Sequence, residues 1–342
     1  MSLLTQILAA PDDDHARLVW ADKEGGERGE LVAIQCAMAA GNVTAELRGR
    51  EADLLALHGA GWSNLAGYAK RCTFHRGFVD AVLVEEFTGN TLRELWKRAP
   101  LATTLEIEHM TPSSIDAFFA NRAWRNLQAF GFATDQEDWD LGARLAREDL
   151  SHLRGLGIET SSPIERFPLL PALERLHVRG AYNFPTWYAH MPKLRALQCD
   201  EIVAGASLPA QLVELEIADY EMPNVPRLVR LRTREWSRSF EMFDHLISVD
   251  LAEADFDVRD RFVEAKLPSV RELRWIHEDD DLPNLVMALG QQLDYLAVSP
   301  HEIMRTQPYV SGLVDTYDQY RRDLLSPRVS LVEPWFHEKV LL

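Results

Sequence analysis

Residues 170–180 read LPALERLHVRG, and residues 209–218 read PAQLVELEIA. Both spell Leu-x-x-Leu-x-apolar, at Leu173/Leu176/Val178 and at Leu212/Leu215/Ile217. The same phrase returns at Leu153/Leu156/Ile158, Leu194/Leu197/Cys199, Leu246/Val249/Leu251, Val270/Leu273/Trp275 and Leu293/Leu296/Val298. With the second apolar residue as anchor, the series extends from Val82, Leu105 and Phe130 through Leu231 to Leu296. The anchors stand about 16 to 26 residues apart, which fits the roughly 20–29-residue period of a leucine-rich repeat once slippage is allowed.

The phrase has a physical reason. In a strand, the anchor and the residue two beyond it point to one face, and their neighbours point to the other. A single short strand cannot bury its apolar side alone, so it becomes stable when stacked on copies of itself. Leu170-Pro171, Met191-Pro192, Leu208-Pro209 and Leu267-Pro268 precede strands, where a residue without an N–H is tolerated. The predicted fold is therefore α/β: a leucine-rich-repeat-like solenoid with a curved parallel sheet on its concave side. Leucine-rich repeats usually place Asn or Cys five residues after the anchor. Here those places hold residues such as Met110, Ser161, Ala181, Tyr220 and Trp236, so the solenoid is expected to be irregular, with uneven convex segments.

Residues 1–75 carry a different pattern. LVAIQCAMAAG (31–41) and ELRGREADLLALHG (46–59) have helical spacing, with Gly59 as a natural stop. The start, MSLLTQILAAPDDDHARL, has no basic segment ahead of its apolar run and is read as a short amphipathic helix ended by Pro11, not as a signal peptide. Arg28-Gly29-Glu30 is read as a turn between helices, Trp62 as a plug over the first coil, and residues 77–84 as the first strand.

Three stretches here, RLVWADKEGGERGELVAIQ, ELRGREADLLALHGAGW and HRGFVDAVLV, resemble the amino-terminal repeat-companion domain of bacterial proteins. The resemblance covers residues 3 to 84. The first motif is shortened between Asp22 and Arg28, and Leu31 stands where an aromatic is common. That family places such a helical module before irregular leucine-rich repeats and carries no catalytic residues, so the resemblance implies architecture and an interaction role. The expected domains are a helical companion cap at 1–75, the solenoid at 76–300 and a carboxy-terminal cap or docking tail at 301–342, whose last stretch keeps Trp335, Phe336 and Val340-Leu341-Leu342.

The composition bears on partners. The 342 residues carry 36 Lys and Arg against 53 Asp and Glu, a formal charge of −17, which argues against nucleic acid, since phosphate binding needs a clustered excess of cations. No run of about 18 apolar residues predicts a membrane span. The three cysteines, Cys36, Cys72 and Cys199, are odd in number and far apart, as for reduced thiols of a cytoplasmic protein. The phosphate, zinc and nucleophile-elbow signatures GxxxxGK[ST], HExxH, CxxC and GxSxG are missing. Glu278 to Asp281 has the oxygen ligands calcium takes, but it is read as an acidic loop after the strand ending at Trp275. His75-Arg76 is read as a structural pair at a domain junction. No cofactor, metal or catalytic residue is expected.

What remains is the concave face. The residues flanking each anchor form rows that include Arg175/His177/Arg179, Glu214/Glu216, Arg230/Arg232/Arg234, Asp250, Arg274 and Tyr295, with Trp236 at a strand exit. Two readings stand. The charges form lateral ladders, Glu214 with Arg230 and Glu216 or Asp250 with Arg232; or the arginines, helped by Trp236 and Tyr295, meet a protein of acidic or mixed surface charge. The function predicted is non-enzymatic protein binding by a monomer or heteromeric complex. The alternatives are a dedicated inhibitor or immunity protein of a toxin, protease or regulator, and an enzyme of unknown chemistry.

Overall fold

The computed structural model describes residues 2–11, 13–42, 44–136, 140–161, 164, 167–179, 190–200, 208–217, 227–233, 243, 245–251, 256–265, 267, 269–275 and 295–298. The chain is mixed α/β with an open, mostly parallel sheet, and its described residues divide into two compact units, one up to residue 134 and one from residue 135. The cap or tail expected at 301–342 lies outside the described residues, as do Arg234, Trp236 and the acidic run 278–281.

The first unit begins with four helices, α1 (Leu3–Ala9), α2 (Asp14–Glu24), α3 (Gly26–Ala39) and α4 (Ala45–Ser63). Their starts follow local chemistry: Ser2, Asp13 and Thr44 accept backbone N–H bonds at the N-termini of α1, α2 and α4. Two expectations change. Arg28-Gly29-Glu30 lies inside α3, and the break from α2 falls at Gly25. Gly29 is there because the helices approach closely: a Cβ on it would stand 2.4 Å from the Ala21 carbonyl oxygen. The fourth helix runs past Gly59 and ends at Asn64, whose left-handed backbone stops it. Trp62 packs with Met38, Leu47 and Phe74 on Leu31, Ile34 and Leu54, so it joins the helical core beside a residue of the first strand.

The first strand is also earlier than the anchors indicated. β1 (Arg71–His75) pairs antiparallel with β2 (Phe78–Glu86) through a two-residue turn, and the parallel strands β3 (Thr104–His109) and β4 (Ala129–Thr134) follow. The connections carry α5 (Thr91–Arg98) and α6 (Pro112–Ala120), the latter started by Pro112 and a capping box between Thr111 and Ser114. Beneath the strands lies an aromatic cluster in which the Phe118 and Phe130 rings stack at 4.1 Å, with Phe119 and Trp124 edge-on.

In the second unit, after α7 (Leu141–Leu145), strands β5 (Gly155–Thr160), β6 (Arg175–Arg179), β7 (Ala196–Cys199), β8 (Glu214–Ile217), β9 (Arg230–Thr233), β10 (Ser248–Asp250), β11 (Glu272–Trp275) and β12 (Tyr295–Val298) pair in parallel, each with the next in chain order. The helix α8 (Phe256–Ala265) joins β10 to β11. The anchors align: Leu156 faces Leu176, then Leu197, Leu215, Leu231, Val249, Leu273 and Leu296. The partners at the first and third places of the phrase, such as Leu153, Leu173, Leu212, Ile158, Val178 and Ile217, are buried with them.

The prolines act one step before the strands. Leu173 N–H donates to Leu170 O and Leu194 N–H to Met191 O, both at 3.1 Å, so Pro171 and Pro192 sit second in tight turns whose φ they preset. Pro209 instead opens its turn, and Leu212 N–H donates to its carbonyl at 3.0 Å. After each turn one carbonyl accepts two N–H groups from the next strand's entry, as Arg154 O does from Glu174 and Arg175, Glu174 O from Arg195 and Ala196, and Arg195 O from Val213 and Glu214.

The cysteines give a direct check of this packing. Cys199 sits on the inward column of β7 and Cys36 between helices, and burial pushes the Cys199 thiol well up and the Cys36 thiol to about 11, with Asp14 adding to the latter. Cys72 is half-buried. Iodoacetamide at about pH 8 is therefore expected to label native protein at Cys72 alone and slowly, and all three cysteines after unfolding. Labelling of Cys199 at the rate of Cys72, read by peptide mass spectrometry, would mean that the inward column is misplaced.

Candidate functional site

The candidate site is the strand face of the second unit, because it gathers side chains that the core does not use. Parallel register sets two rows. One runs Gly155, Arg175, Ala196, Glu214, Arg230, Ser248, Glu272, Tyr295; the other runs Gly157, His177, Gln198, Glu216, Arg232, Asp250, Arg274, Ala297. In the second row, acid and base alternate from Glu216 to Arg274 at the spacing of about 4.8 Å between neighbouring strands. For Arg232, Asp250, Arg274 and Tyr295 the backbone register is what the structure describes; their side chains lie outside it.

Where side chains are described, one of the expected ladder pairs forms, and those with Arg232 lie outside the described side chains. Arg230 Nη1 donates to Glu214 Oε1 at 2.8 Å, joining β9 to β8. The Gln198 amide donates to Glu216 Oε1 at 2.9 Å, and both His177 and Arg179 lie 3.6 Å from Glu159 Oε1 on β5. Such pairs in partial exposure contribute about 0.2–1 kcal/mol each, so they fix side-chain position more than they stabilise the sheet.

His177, one of the residues expected on the partner-binding face, lies in a closed stretch in its middle. His177 is 7% exposed, Gln198 2% and Ala196 3%. Arg175 is exposed and Arg179 and Arg230 are half-buried. The accessible polar surface therefore lies around Arg175 and around the β8–β9 pair, with His177 and Gln198 as a buried floor between.

A second feature was not anticipated. At the entry ends of β5 to β9, Arg154, Glu174, Lys193, Arg195 and Arg227 line an open cleft of about 540 Å³. Its cations come from three separate strand entries, those of β5, β7 and β9, and the sequence signal was the position two before the anchor, where Arg154, Glu174 and Arg195 recur.

In the first unit, the motif residues that carry the family resemblance are occupied with packing. Arg17 donates to the carbonyls of Pro11 (2.9 Å) and Arg76 (2.9 Å), Trp20 packs on Phe78, and Gln35 accepts from Gly77 N–H at 2.6 Å while donating to Phe74 O at 3.2 Å. The Arg28 guanidinium lies within 5.0 to 5.8 Å of the Trp62, Phe74 and Phe78 rings, and burial lowers its pKa to about 10. Each of these side chains ties a helix to the β1–β2 hairpin.

Among the described residues, no group of three His, Cys, Asp or Glu side chains is placed to hold a metal ion, and no helix is long and apolar enough to cross a membrane. No protein-family model and no curated protein matches the chain.

Proposed function

We propose that this chain is a repeat-companion protein with an irregular leucine-rich-repeat solenoid, and that it works as a protein-binding module whose strand face holds a partner of acidic or mixed surface charge. The observation that carries this reading is the pair of charged rows held in strict register on one face. Glu214 with Arg230 and Glu159 with Arg179 are positioned before any partner arrives, so binding loses little side-chain entropy. A partner carboxylate can share an arginine already oriented by its neighbour, and a partner cation can share the carboxylate, which suits a surface of mixed charge. Arg175, Arg179, Arg230, Arg232 and Arg274 supply the polar contacts of this proposal over the buried His177, with Tyr295 in the same register and Arg234 and Trp236 following β9 in the sequence.

The test starts from capture by the full chain in its native host, then purification of the captured protein and calorimetry of the isolated pair. Arg175→Glu with Arg232→Glu is expected to weaken the complex by about 2 kcal/mol or more, roughly thirtyfold in dissociation constant. The loss should shrink at high salt, since charges near the rim are screened over about 10 Å at 0.1 M. Melting of the variant should stay close to wild type. Unchanged affinity with a normal melt would move the partner off this face, and a lost melt would make the arginines purely structural.

A further inference from the structure

We propose that the cleft at the strand-entry ends of β5 to β9 docks an acidic, extended segment of a partner protein. The inference extends the protein-binding reading to a second surface, and it rests on charges that the strand face does not include. Arg154, Glu174, Arg195 and Val213 occupy equivalent places in four successive strand entries, linked through the carbonyls of the first three. Arg154 takes both carboxylate oxygens of Glu174, at 2.9 and 3.0 Å, with its Nε at 3.1 Å. Among the described residues, that grip uses the one acid lining the cleft. Arg195 is left between an occupied carboxylate and the apolar Val213.

Lys193 and Arg227 complete the lining, and all three cations are exposed. Among the described residues, none of Lys193, Arg195 and Arg227 makes an ion pair or a side-chain hydrogen bond. Three cations converging on one cleft repel one another, and an arriving anion relieves that repulsion. On a chain of net charge −17 such a concentration runs against the composition. Arg154 with Glu174 displays the geometry by which an arginine in this row holds a carboxylate, and Arg195 offers the same fork to a carboxylate from outside. Pro192 and Val213 give apolar wall for the segment between its acids.

The overall charge selects a short acidic segment over nucleic acid. A long polyanion meets the negative surface beyond the cleft, whereas a few carboxylates are governed by charges within a Debye length of about 10 Å.

The experiment uses the full chain and fluorescein-labelled hexaglutamate, read by fluorescence anisotropy at low and moderate salt. Wild type is expected to bind at low salt, and Arg195→Glu with Arg227→Glu to weaken binding about tenfold or more with an unchanged melting curve. The milder Arg195→Gln with Arg227→Gln should weaken it in the same direction, which keeps the test decisive if charge reversal disturbs folding. Arg274→Glu on the strand face, two strands beyond β9, should leave this binding intact, so failure of the cleft and failure of the face are read separately. Absence of binding at low salt, or equal binding by the glutamine variant, would overturn the proposal. So would tighter binding of an oligothymidylate that depends on the same residues, which would make the cleft a nucleic-acid site.

Discussion

Leu215→Asp is expected to abolish the cooperative melt of the second unit. Leu215 is completely buried, in register with Leu197 on one side and Leu231 on the other, and Leu212 and Ile217 close the column above and below. A carboxylate placed there loses its hydration without gaining a cation, at several kcal/mol, or takes up a proton and still leaves a polar group unpaired. Removing the side chain alone, as in Leu215→Ala, costs about 2–5 kcal/mol. Against a total stability of about 5–15 kcal/mol, the charged substitution exceeds what a parallel array of short strands can absorb. Its neighbour gives the contrast: Glu214→Ala removes one half-exposed partner of Arg230 and should cost within about 1 kcal/mol. Circular dichroism melts of both variants, with amide exchange across β7 to β9, check this. A Leu215→Asp melt within a degree or two of wild type would mean that the column is not the core.

The anchors were legible in the sequence because a parallel pair imposes its own period. Once Leu176 is buried, the residue opposite it on the next strand shares the same side, so apolar residues must recur wherever strands stack. Glycine was harder, since one residue type serves several needs. Gly29 marked a close approach of α3 to α2 and was read as a turn, while Gly59 was read as a stop although α4 has room for a side chain there, its nearest neighbours lying 3.8–3.9 Å from a Cβ. The hairpin strand β1, RCTFH, carries no anchor phrase, because it pairs antiparallel with β2 and stands outside the repeat period.

The site was legible in part for a related reason. Alternation exposes which residues flank the anchors, so Arg175, Arg230 and Glu214 could be placed on one face. Whether they pair depends on lateral spacing and side-chain reach, which the linear pattern does not encode. The cleft shows the same limit more strongly: Lys193, Arg195 and Arg227 are separated by up to 34 residues along the chain and become neighbours only because the parallel strands stack entry beside entry.

The turn between β1 and β2 carries the second large effect. Arg76 and Gly77 both have positive φ, +50° and +83°, as a tight two-residue hairpin turn requires. Gly77 is further constrained because a Cβ on it would lie 2.2 Å from Val32 Cγ2 and 2.8 Å from Val32 Cα, on α3. Its N–H donates to Gln35 of the same helix, so the hairpin cannot simply move away without giving up that bond. Gly77→Val therefore combines left-handed strain of about 1–2 kcal/mol with overpacking of about 1–3 kcal/mol and a broken buried hydrogen bond of about 1 kcal/mol. The expected loss is about 3–6 kcal/mol, enough to detach the hairpin from the helices. Gly67 separates the two causes, because its φ is also positive, +68°, yet nothing lies within 4 Å of a Cβ there. Gly67→Val should show the strain alone, about 1–2 kcal/mol in urea unfolding. Equal losses at the two positions would mean that the close seat of Gly77 on Val32 is not what holds the hairpin, and that the RGF motif is kept only for its turn.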